Sequence, residues 1–315
     1  MKTILRALLG AVVALTSISA APLSFADDRP ELVVAVPKLA RGLEPGIRSG
    51  NVDLRTTHSV FDTLIRRDFV AQAETGSAVM VPGLATSWEQ ISPSEMILEL
   101  RDDVTWHDGT PFTSADVVFS FGPERVFGEG APVRTVKNTL GRLESVEALG
   151  PHKVKLTWAK PDPIMVHRLA NKGSPIVQKS AYMAFAKNDV PTNEWMKDAV
   201  DALMWNPVGT GPFKFEQVNA GESIRLVSND DYFMGPPAFA SVTFVEVPEV
   251  STRISGLVSG EYDMAINITP DQLPVLERYD DIQLTSVSRE NSHVVTFNTA
   301  PVSYTHLRAH ETFAN

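Results

Sequence analysis

The histidines are the first candidates for metal chemistry. Among the seven histidines, His306 and His310 alone have the i, i+4 spacing that places two metal ligands on one helix face. That pair lies in a C-terminal segment interpreted below as non-native. Scattered histidines such as His58 and His152 are typical of surface or hydrogen-bonded positions. The histidine pattern therefore predicts no metal site.

Serines, carboxylates and glycines also lack a catalytic arrangement. Gly256 to Gly260 (GLVSG) does not have the spacing of a GxSxG nucleophile turn. The acidic pairs Asp102-Asp103 and Asp230-Asp231 stand beside turns, where carboxylates are readily solvated. Gly209-Thr210-Gly211-Pro212 lacks the third glycine of a dinucleotide fingerprint and the GK[ST] of a P-loop, so we interpret it as a tight turn. We expect no catalytic residue, no cofactor, and a function in binding.

Composition restricts the class of protein. With 43% hydrophobic and 21% charged residues, the 315-residue chain is typical of a globular protein with two domains. The 38 acidic and 28 basic residues give a net charge of -10, which argues against nucleic-acid binding because that requires a basic surface. The chain has no cysteine, which excludes disulfides, thiolate metal sites and a cysteine-linked lipid anchor.

The N-terminal segment has the composition of an export signal. Lys2 and Arg6 form a basic start, Ala7 to Leu15 is a short apolar run, and Ser24-Phe25-Ala26 offers small residues for cleavage. The apolar run is well under the roughly 20 residues that span a bilayer. We expect residues 1–26 to be a signal peptide and the mature protein to be soluble in the periplasm, not a lipoprotein.

Hydrophobic periodicity predicts strands that alternate with helices, which indicates an α/β fold with a mixed sheet. The predicted strands are Glu31 to Lys38, Ser241 to Val247, Asp263 to Ile266, Ile282 to Ser288 and His293 to Asn298, with hairpins at Ser87 to Arg101, Glu144 to Ala159 and Pro212 to Asn229. The predicted helices are Leu54 to Ile65, one capped by Thr113 and Asp116, one beginning at Asp162-Pro163, Ser251 to Glu261, and Thr269 to Glu277.

Several segments, in a fixed order, resemble the family 5 solute-binding proteins of ABC importers, the peptide, dipeptide and nickel-binding group. The strongest is Val104 to Phe121 (VTWHDGTPFTSADVVFSF), where a Trp-His-Asp-Gly turn precedes a capped helix. The other segments are Pro82 to Trp88, Pro207 to Phe215 (PVGTGPFKF), Asn229 to Phe233 and Val247 to Met264. The motif residues to which we assign a structural role are Trp106, His107, Asp108, Gly109, Asp116, Gly209, Thr210, Gly211 and Pro212.

The resemblance implies a periplasmic binding protein-like fold of class II, peptide-binding group, in which two lobes close over a solute without catalysing a reaction. It implies a lobe I core at 27–60 and 205–268, a lobe I insertion at 61–204, and the start of lobe II at 269–300. Because family members are considerably longer, we expect the second lobe to be incomplete. We interpret 301–315 as a non-native tail, since VSYTHLRAHET resembles translated sequencing adapter.

The resemblance also implies import of di- or oligopeptides by a periplasmic monomer that delivers them to ABC transporter permease subunits at the inner membrane. By analogy, the residues that border the ligand cleft are Arg41, Leu43, Glu44, Pro45, Arg289, Asn291 and His293. Two alternatives remain open. In the first, the protein has the same fold but binds a nickel chelate, an opine or a sugar. In the second, the protein is a secreted hydrolase on a similar α/β scaffold.

Overall fold

The computed structural model describes residues 28–47, 50–171 and 173–285. Some predicted features lie outside these ranges: the signal peptide, the tail, the strand at 293–298, and Arg289, Asn291, His293, His306 and His310. Within the described ranges, no helix combines the length and the apolar character that crossing a membrane requires.

Strands and helices alternate along much of the described chain. The strands are β1 (Glu31–Val36), β2 (Ile65–Asp68), β3 (Val79–Pro82), β4 (Ala85–Ser92), β5 (Glu95–Leu100), β6 (Leu143–Gly150), β7 (Lys153–Trp158), β8 (Phe213–Asn219), β9 (Ser223–Ser228), β10 (Ser241–Glu246) and β11 (Met264–Ala265). The helices are α1 (Asn51–Val60), α2 (Phe69–Thr75), α3 (Ser114–Ser120), α4 (Arg134–Leu140), α5 (Met165–Leu169), α6 (Lys179–Met183), α7 (Thr192–Leu203), α8 (Val250–Ser259) and α9 (Leu273–Leu276). A π-helical turn spans Pro123–Phe127, and a 3-10 turn spans Pro270–Gln272.

A five-stranded sheet joins the beginning of the described chain to its later part, in the order β11-β1-β10-β9-β8. β1 is parallel to both of its neighbours, β10 and β11. The second half of β1 is buried, which explains why its sequence is a continuous apolar run. β8, β9 and β10 pair antiparallel, and the predicted hairpin at Pro212 to Asn229 is confirmed.

A separate four-stranded antiparallel sheet, in the order β4-β5-β7-β6, lies in the middle of the chain. Both predicted hairpins are confirmed, because β4 pairs with β5 and β6 pairs with β7. Met96, Leu98 and Leu100 alternate with more exposed residues on β5, so one face of this sheet packs on the core. β2 and β3 form a further antiparallel pair.

The predicted caps of two helices, α3 and α8, are confirmed. Asp116 accepts a hydrogen bond from the backbone N–H of Thr113 at 3.0 Å, which gives α3 the reciprocal capping box that the sequence predicts. Gly260 ends α8 in the left-handed conformation, with φ of 76°. Tyr262 packs against α8 so closely that a Cβ on Gly256 would lie 2.2 Å from its ring.

Two predicted helix bounds were wrong. The first helix is Asn51–Val60 and not Leu54 to Ile65. It ends there because the backbone becomes extended at Phe61, and Ile65 already begins β2, where it pairs with Pro82. Asp162-Pro163 does not start a helix, since α5 begins at Met165. The Asp162 carboxylate instead forms a short turn by accepting from the Ile164 N–H at 3.1 Å.

The segment after β11 also departs from the prediction. The helix expected from Thr269 to Glu277 is divided into a 3-10 turn at Pro270–Gln272 followed by α9. Residues 282–285, the described part of the strand predicted at 282–288, form no strand. A strand requires a hydrogen-bonded partner, and the sheets of the described residues supply none at this point.

One hydrophobic cluster includes side chains from both larger sheets. Val34 and Val36 of β1 belong to the same cluster as Leu98 of β5 and Leu156 of β7. The strands of the middle sheet fall within 61–204, and those of the five-stranded sheet fall outside it. The lobe and insertion bounds stay a prediction, and residues from both sides of these bounds share one hydrophobic cluster.

Candidate ligand-binding site

The carboxyl ends of β1, β10 and β11 lie at one edge of the five-stranded sheet, because the three strands are parallel. In open α/β sheets, ligands bind outside the carboxyl ends of strands where the connections diverge. Three segments follow these ends: the loop from Pro37 to Ile47, which we call the β1 loop, residues 247–249, and residues 266–269. Leu39 ties the β1 loop to the end of β10, since its N–H donates to Glu246 Oε2 at 2.9 Å.

Arg41 is the predicted ligand residue whose side chain reaches solvent at this edge. Its guanidinium donates from Nη2 to Asp53 Oδ2 at 2.8 Å, and its backbone N–H donates to Asp53 Oδ1 at 3.1 Å. The Arg41 side chain is 51% exposed, whereas that of Asp53 is fully buried. Hydrogen bonding to Asp53 raises the pKa of Arg41. A buried carboxylate therefore holds a cation in a fixed orientation at the edge.

Leu43, Glu44 and Pro45 are buried, so their side chains do not face solvent. Glu44 Oε1 accepts from Arg125 Nη2 at 2.9 Å and from the Tyr182 hydroxyl at 2.6 Å. Burial raises the pKa of Tyr182 well above its usual value, which keeps this hydroxyl protonated as a donor. Arg125 Nη2 also donates to the carbonyl oxygen of Pro45 at 2.5 Å. Through these bonds, Glu44 and Pro45 anchor the β1 loop to buried side chains of the protein interior.

Asn267, which no sequence motif singles out, lies at the same edge just after β11. It is the single non-glycine residue with positive φ, 58°, among the residues that the structure describes. Its side-chain oxygen accepts from Arg55 Nη2 at 2.9 Å, and its carbonyl oxygen accepts from Arg253 Nη2 at 3.2 Å. Asparagine tolerates this conformation better than most residues. No spacing in the sequence pairs Asn267 with these two arginines.

His107 fastens the Trp-His-Asp-Gly turn to the Gly-Thr-Gly-Pro turn. Its Nε2–H donates to the Gly211 carbonyl at 3.0 Å, and the Gly209 N–H donates to its Nδ1 at 3.3 Å. Its backbone N–H also donates to the Gly209 carbonyl at 2.8 Å. This arrangement needs the neutral imidazole, and burial lowers the pKa of His107 to about 4.

The two glycines of the Gly-Thr-Gly-Pro turn lie against the C-terminal end of α1. A Cβ on Gly209 would lie 1.8 Å from the Val60 carbonyl oxygen, and one on Gly211 would lie 2.6 Å from the Val60 carbonyl carbon. The Gly211 N–H donates to the Val60 carbonyl at 2.9 Å. The glycines are therefore required for close backbone approach, as expected for a structural turn and not a phosphate loop.

Thr210 of this turn belongs to a buried polar network. Its hydroxyl donates to Asp62 Oδ2 at 3.2 Å, and the Tyr232 hydroxyl donates to Asp62 Oδ1 at 3.1 Å. Burial raises the pKa of Asp62, and the nearby Arg66 guanidinium opposes this rise. Asp62 was not predicted, because the two hydroxyl groups that donate to it lie more than a hundred residues away in sequence.

The remaining motif residues also make local, structural contacts. Asp108 accepts from the Thr110 N–H at 3.0 Å and from Gln178 Nε2 at 2.7 Å. Asp116 Oδ1 accepts from the Lys179 N–H at 2.8 Å, which ties α3 to the start of α6. Trp106 is buried, and its indole N–H points to Asp116 Oδ2 at 3.4 Å. Gly109 adopts a φ of 84° in the turn, which favours glycine.

The described residues contain no cluster of three or more His, Asp or Glu side chains that would hold a metal ion. The buried carboxylates Glu44, Asp53, Asp62 and Asp116 are each bonded to donors of the protein itself. At the sheet edge, the arrangement leaves a fixed, half-exposed cation, the guanidinium of Arg41.

Comparison with known proteins first defines the class of fold. The structure resembles an ABC transporter-associated periplasmic binding protein from Helicobacter pylori in complex with the peptide STSA, with a TM-score of 0.68 and 25% identity. That match covers 80% of this chain and 50% of the other. NikZ from Campylobacter jejuni, in complex with Ni(L-His), matches with a TM-score of 0.64 and 25% identity over 80% of this chain and 46% of NikZ. The predicted class, an α/β periplasmic binding protein fold, is confirmed.

The family follows from the sequence match. The family model of the bacterial extracellular solute-binding proteins, family 5, matches residues 79–315, and the chain belongs to this family. The probable D,D-dipeptide-binding periplasmic protein of Escherichia coli K12 is 26% identical over 258 residues, which cover 81% of this chain and 47% of that protein. The chain spans about half the length of the relatives it matches.

Proposed function

We propose that this protein is the substrate-binding component of an ABC importer and that it binds di- or oligopeptides in the periplasm. The family match over residues 79–315, on a fold shared with a peptide-bound protein, is the observation that carries the proposal. In this mode, the peptide backbone hydrogen-bonds with extended protein segments, and side-chain pockets set the preference. The solute would contact this lobe at Arg41 and at backbone groups of the β1 loop.

The same site supports a second class of ligand. NikZ, which has this fold, is complexed with Ni(L-His), and MoaA, which also has it, is complexed with mannopinic acid. Such solutes carry carboxylates, which a half-exposed guanidinium such as that of Arg41 would bind. We rank peptides first because the sequence relatives are peptide-binding proteins by name.

The proposal includes the cellular context. An exported, acidic protein without cysteine would remain soluble in the periplasm and deliver its solute, as a monomer, to permease subunits in the inner membrane. We expect binding without turnover, because the family consists of solute-binding proteins. Mass spectrometry of the protein purified from the periplasm tests the export, and Asp27 is the expected N-terminal residue.

A ligand screen tests the function itself. The complete gene product that contains this chain is heated with pools of dipeptides, oligopeptides, nickel-histidine, opines and sugars. At a ligand concentration about 100 times Kd, binding stabilises the folded state by about 2.7 kcal/mol, so a clear rise in Tm is expected with peptides. A free amino-acid mixture of the same ionic strength is the control. A shift with nickel-histidine or an opine alone, or hydrolysis of an ester or glycoside panel, would contradict peptide binding.

A further inference from the structure

The middle part of the β1 loop is enclosed by residues that lie far away in sequence. The Leu43 N–H donates to the Met204 carbonyl at 2.8 Å. A Cβ on Gly42 would lie 2.0 Å from the Met204 sulfur, and one on Gly46 would lie 2.5 Å from Val133 Cγ1. The loop therefore has little freedom to move unless the 61–204 segment moves with it.

Arg125 is the centre of this enclosure. It is fully buried in the π-helical turn Pro123–Phe127, a type of turn that often occurs at functional sites. Its guanidinium donates to the carboxylate of Glu44 and the carbonyl of Pro45, and also to the Ser120 carbonyl at 3.1 Å. A single side chain thus joins two consecutive residues of the β1 loop to the helical part of the insertion.

Stability alone does not account for this arrangement. A buried ion pair gains little over well-packed apolar residues of similar volume, because desolvation offsets the Coulomb attraction. What a guanidinium adds is a rigid, planar set of donors, which fixes the angle between its acceptors. Here that geometry fixes the carboxylate of Glu44 relative to the carbonyl of Pro45. Arg41, four residues before Pro45, is held at the other end by Asp53.

We propose that Arg125 is a positioning residue for solute binding: it fixes Glu44 and Pro45 so that the β1 loop presents a preformed wall at the carboxyl edge of the sheet. This inference rests on the proposed function. Preorganisation raises affinity because the loop does not lose conformational freedom when the solute binds. Without Arg125, the loop could make the same contacts with the solute. Binding would then have to order the loop as well, which lowers the affinity.

The test separates positioning from stability through a double variant of the complete gene product. Arg125→Met with Glu44→Gln removes both charges and keeps an acceptor for the Tyr182 hydroxyl. We expect its Tm without solute to fall, because the buried carbonyls of Pro45 and Ser120 lose their donor. Affinity for the best solute of the screen is expected to fall at least about tenfold by calorimetry, which the control below separates from the loss of stability. Arg125→Lys, which keeps the charge but not the planar fork, is expected to recover only part of the affinity.

A second ion pair of the insertion provides the matched control. Arg168 Nε donates to Asp162 Oδ2 at 2.7 Å, with side chains 23% and 11% exposed. The further bonds of this pair, to the Thr139 carbonyl and the Ile164 N–H, stay within the insertion. Arg168→Met with Asp162→Asn is expected to lower Tm and leave the affinity unchanged. Parent-like affinity in the Arg125/Glu44 double variant, or an equal loss in the control, would overturn the proposal.

Hydrogen exchange measures the order of the β1 loop directly, so it tests the role of Arg125 even if the ligand screen finds no solute. We expect faster exchange of the amides of Leu43, Glu44, Gly46 and Ile47 in the Arg125/Glu44 double variant, with little change in β5 and β7. Unchanged exchange at 43–47 would overturn positioning by Arg125 even if a solute binds. A parent protein that binds no probe would instead contradict the proposed function, and the exchange result would still decide whether Arg125 orders the loop.

Discussion

Among single residues, Asp53 fixes the orientation of the Arg41 guanidinium at the sheet edge. Its fully buried carboxylate accepts from the backbone N–H and the guanidinium of Arg41. Bonds between two ionised groups are stronger and more directional than neutral ones. At the proposed site, the exposed half of Arg41 would therefore meet a solute in one orientation.

Asp53→Asn tests this orientation. The amide has no negative charge and one acceptor oxygen instead of two, so it holds Arg41 less firmly. We therefore expect the affinity for a carboxylate-bearing solute to fall about tenfold, measured by calorimetry. The control is Asp103→Asn, which breaks a similar two-point pair with Arg101, at 2.8 and 2.7 Å, in the insertion. Equal solute affinity in Asp53→Asn and the parent would show that the orientation of Arg41 does not contribute to binding.

His107 makes the folded state sensitive to acid. Its pKa is about 4 in the folded protein and 6.5 for an unperturbed histidine, so the unfolded chain binds more protons between these values. Stability is then lost as the pH falls from about 6.5 towards 4, by about 3 kcal/mol in total. Urea unfolding between about pH 7.5 and 4.5 measures the slope. His107→Gln is expected to flatten it, and an unchanged slope would show that other groups cause the acid sensitivity.

At the scale of elements, the end of α1 and the Gly-Thr-Gly-Pro turn act as one packed unit. The Val60 carbonyl accepts from the Gly211 N–H, and His107 holds the turn from its other side. The Asp62 network adds side-chain bonds to Thr210. The turn therefore joins the helix that follows the β1 loop to the start of β8.

Gly209→Ala tests this packing. The new Cβ would overlap the Val60 carbonyl oxygen, which lies 1.8 Å away, so backbone must shift and we expect a loss of about 3 kcal/mol. Chemical denaturation measures the change. Gly150→Ala is the matched control, because nothing lies within 4 Å of its Cβ, and its effect is expected to stay within about 0.5 kcal/mol. Similar losses in both variants would contradict the close-approach explanation.

For the whole molecule, apolar side chains are exposed along the last described part of the chain. Met264, Val275, Tyr279 and Leu284 are between 39% and 47% exposed. β11, which has two residues, forms one edge of the five-stranded sheet. Exposed apolar patches and unpaired strand edges favour association between chains.

A protein limited to residues 27–299 is therefore expected to self-associate. Light scattering should give a mass that rises with concentration, whereas the complete gene product should remain monomeric. Met264→Gln with Val275→Gln is expected to reduce the association without restoring solute binding. A fragment that is monomeric at all concentrations, melts cooperatively and binds peptide would contradict this expectation.

The sequence by itself determined the local elements. A continuous apolar run predicted β1, alternation with turn residues predicted the hairpins, and the Thr113 and Asp116 spacing predicted the start of α3. These features depend on residues two to four positions apart, whose contacts are set by backbone geometry. The motif order also identified the family, which the match over 79–315 supports.

Only the tertiary structure decided which distant groups meet at the candidate site. Arg125 and Glu44 are separated by 81 residues, and Arg55 and Asn267 by 212. The family resemblance predicts Glu44 at the border of the ligand cleft, and only the tertiary structure shows that its carboxylate is buried and paired with Arg125. Such contacts depend on how the strands pair and how the helices pack. Strand pairing and helix packing are set by the free energy of the whole chain, so they leave no short-range pattern in the sequence.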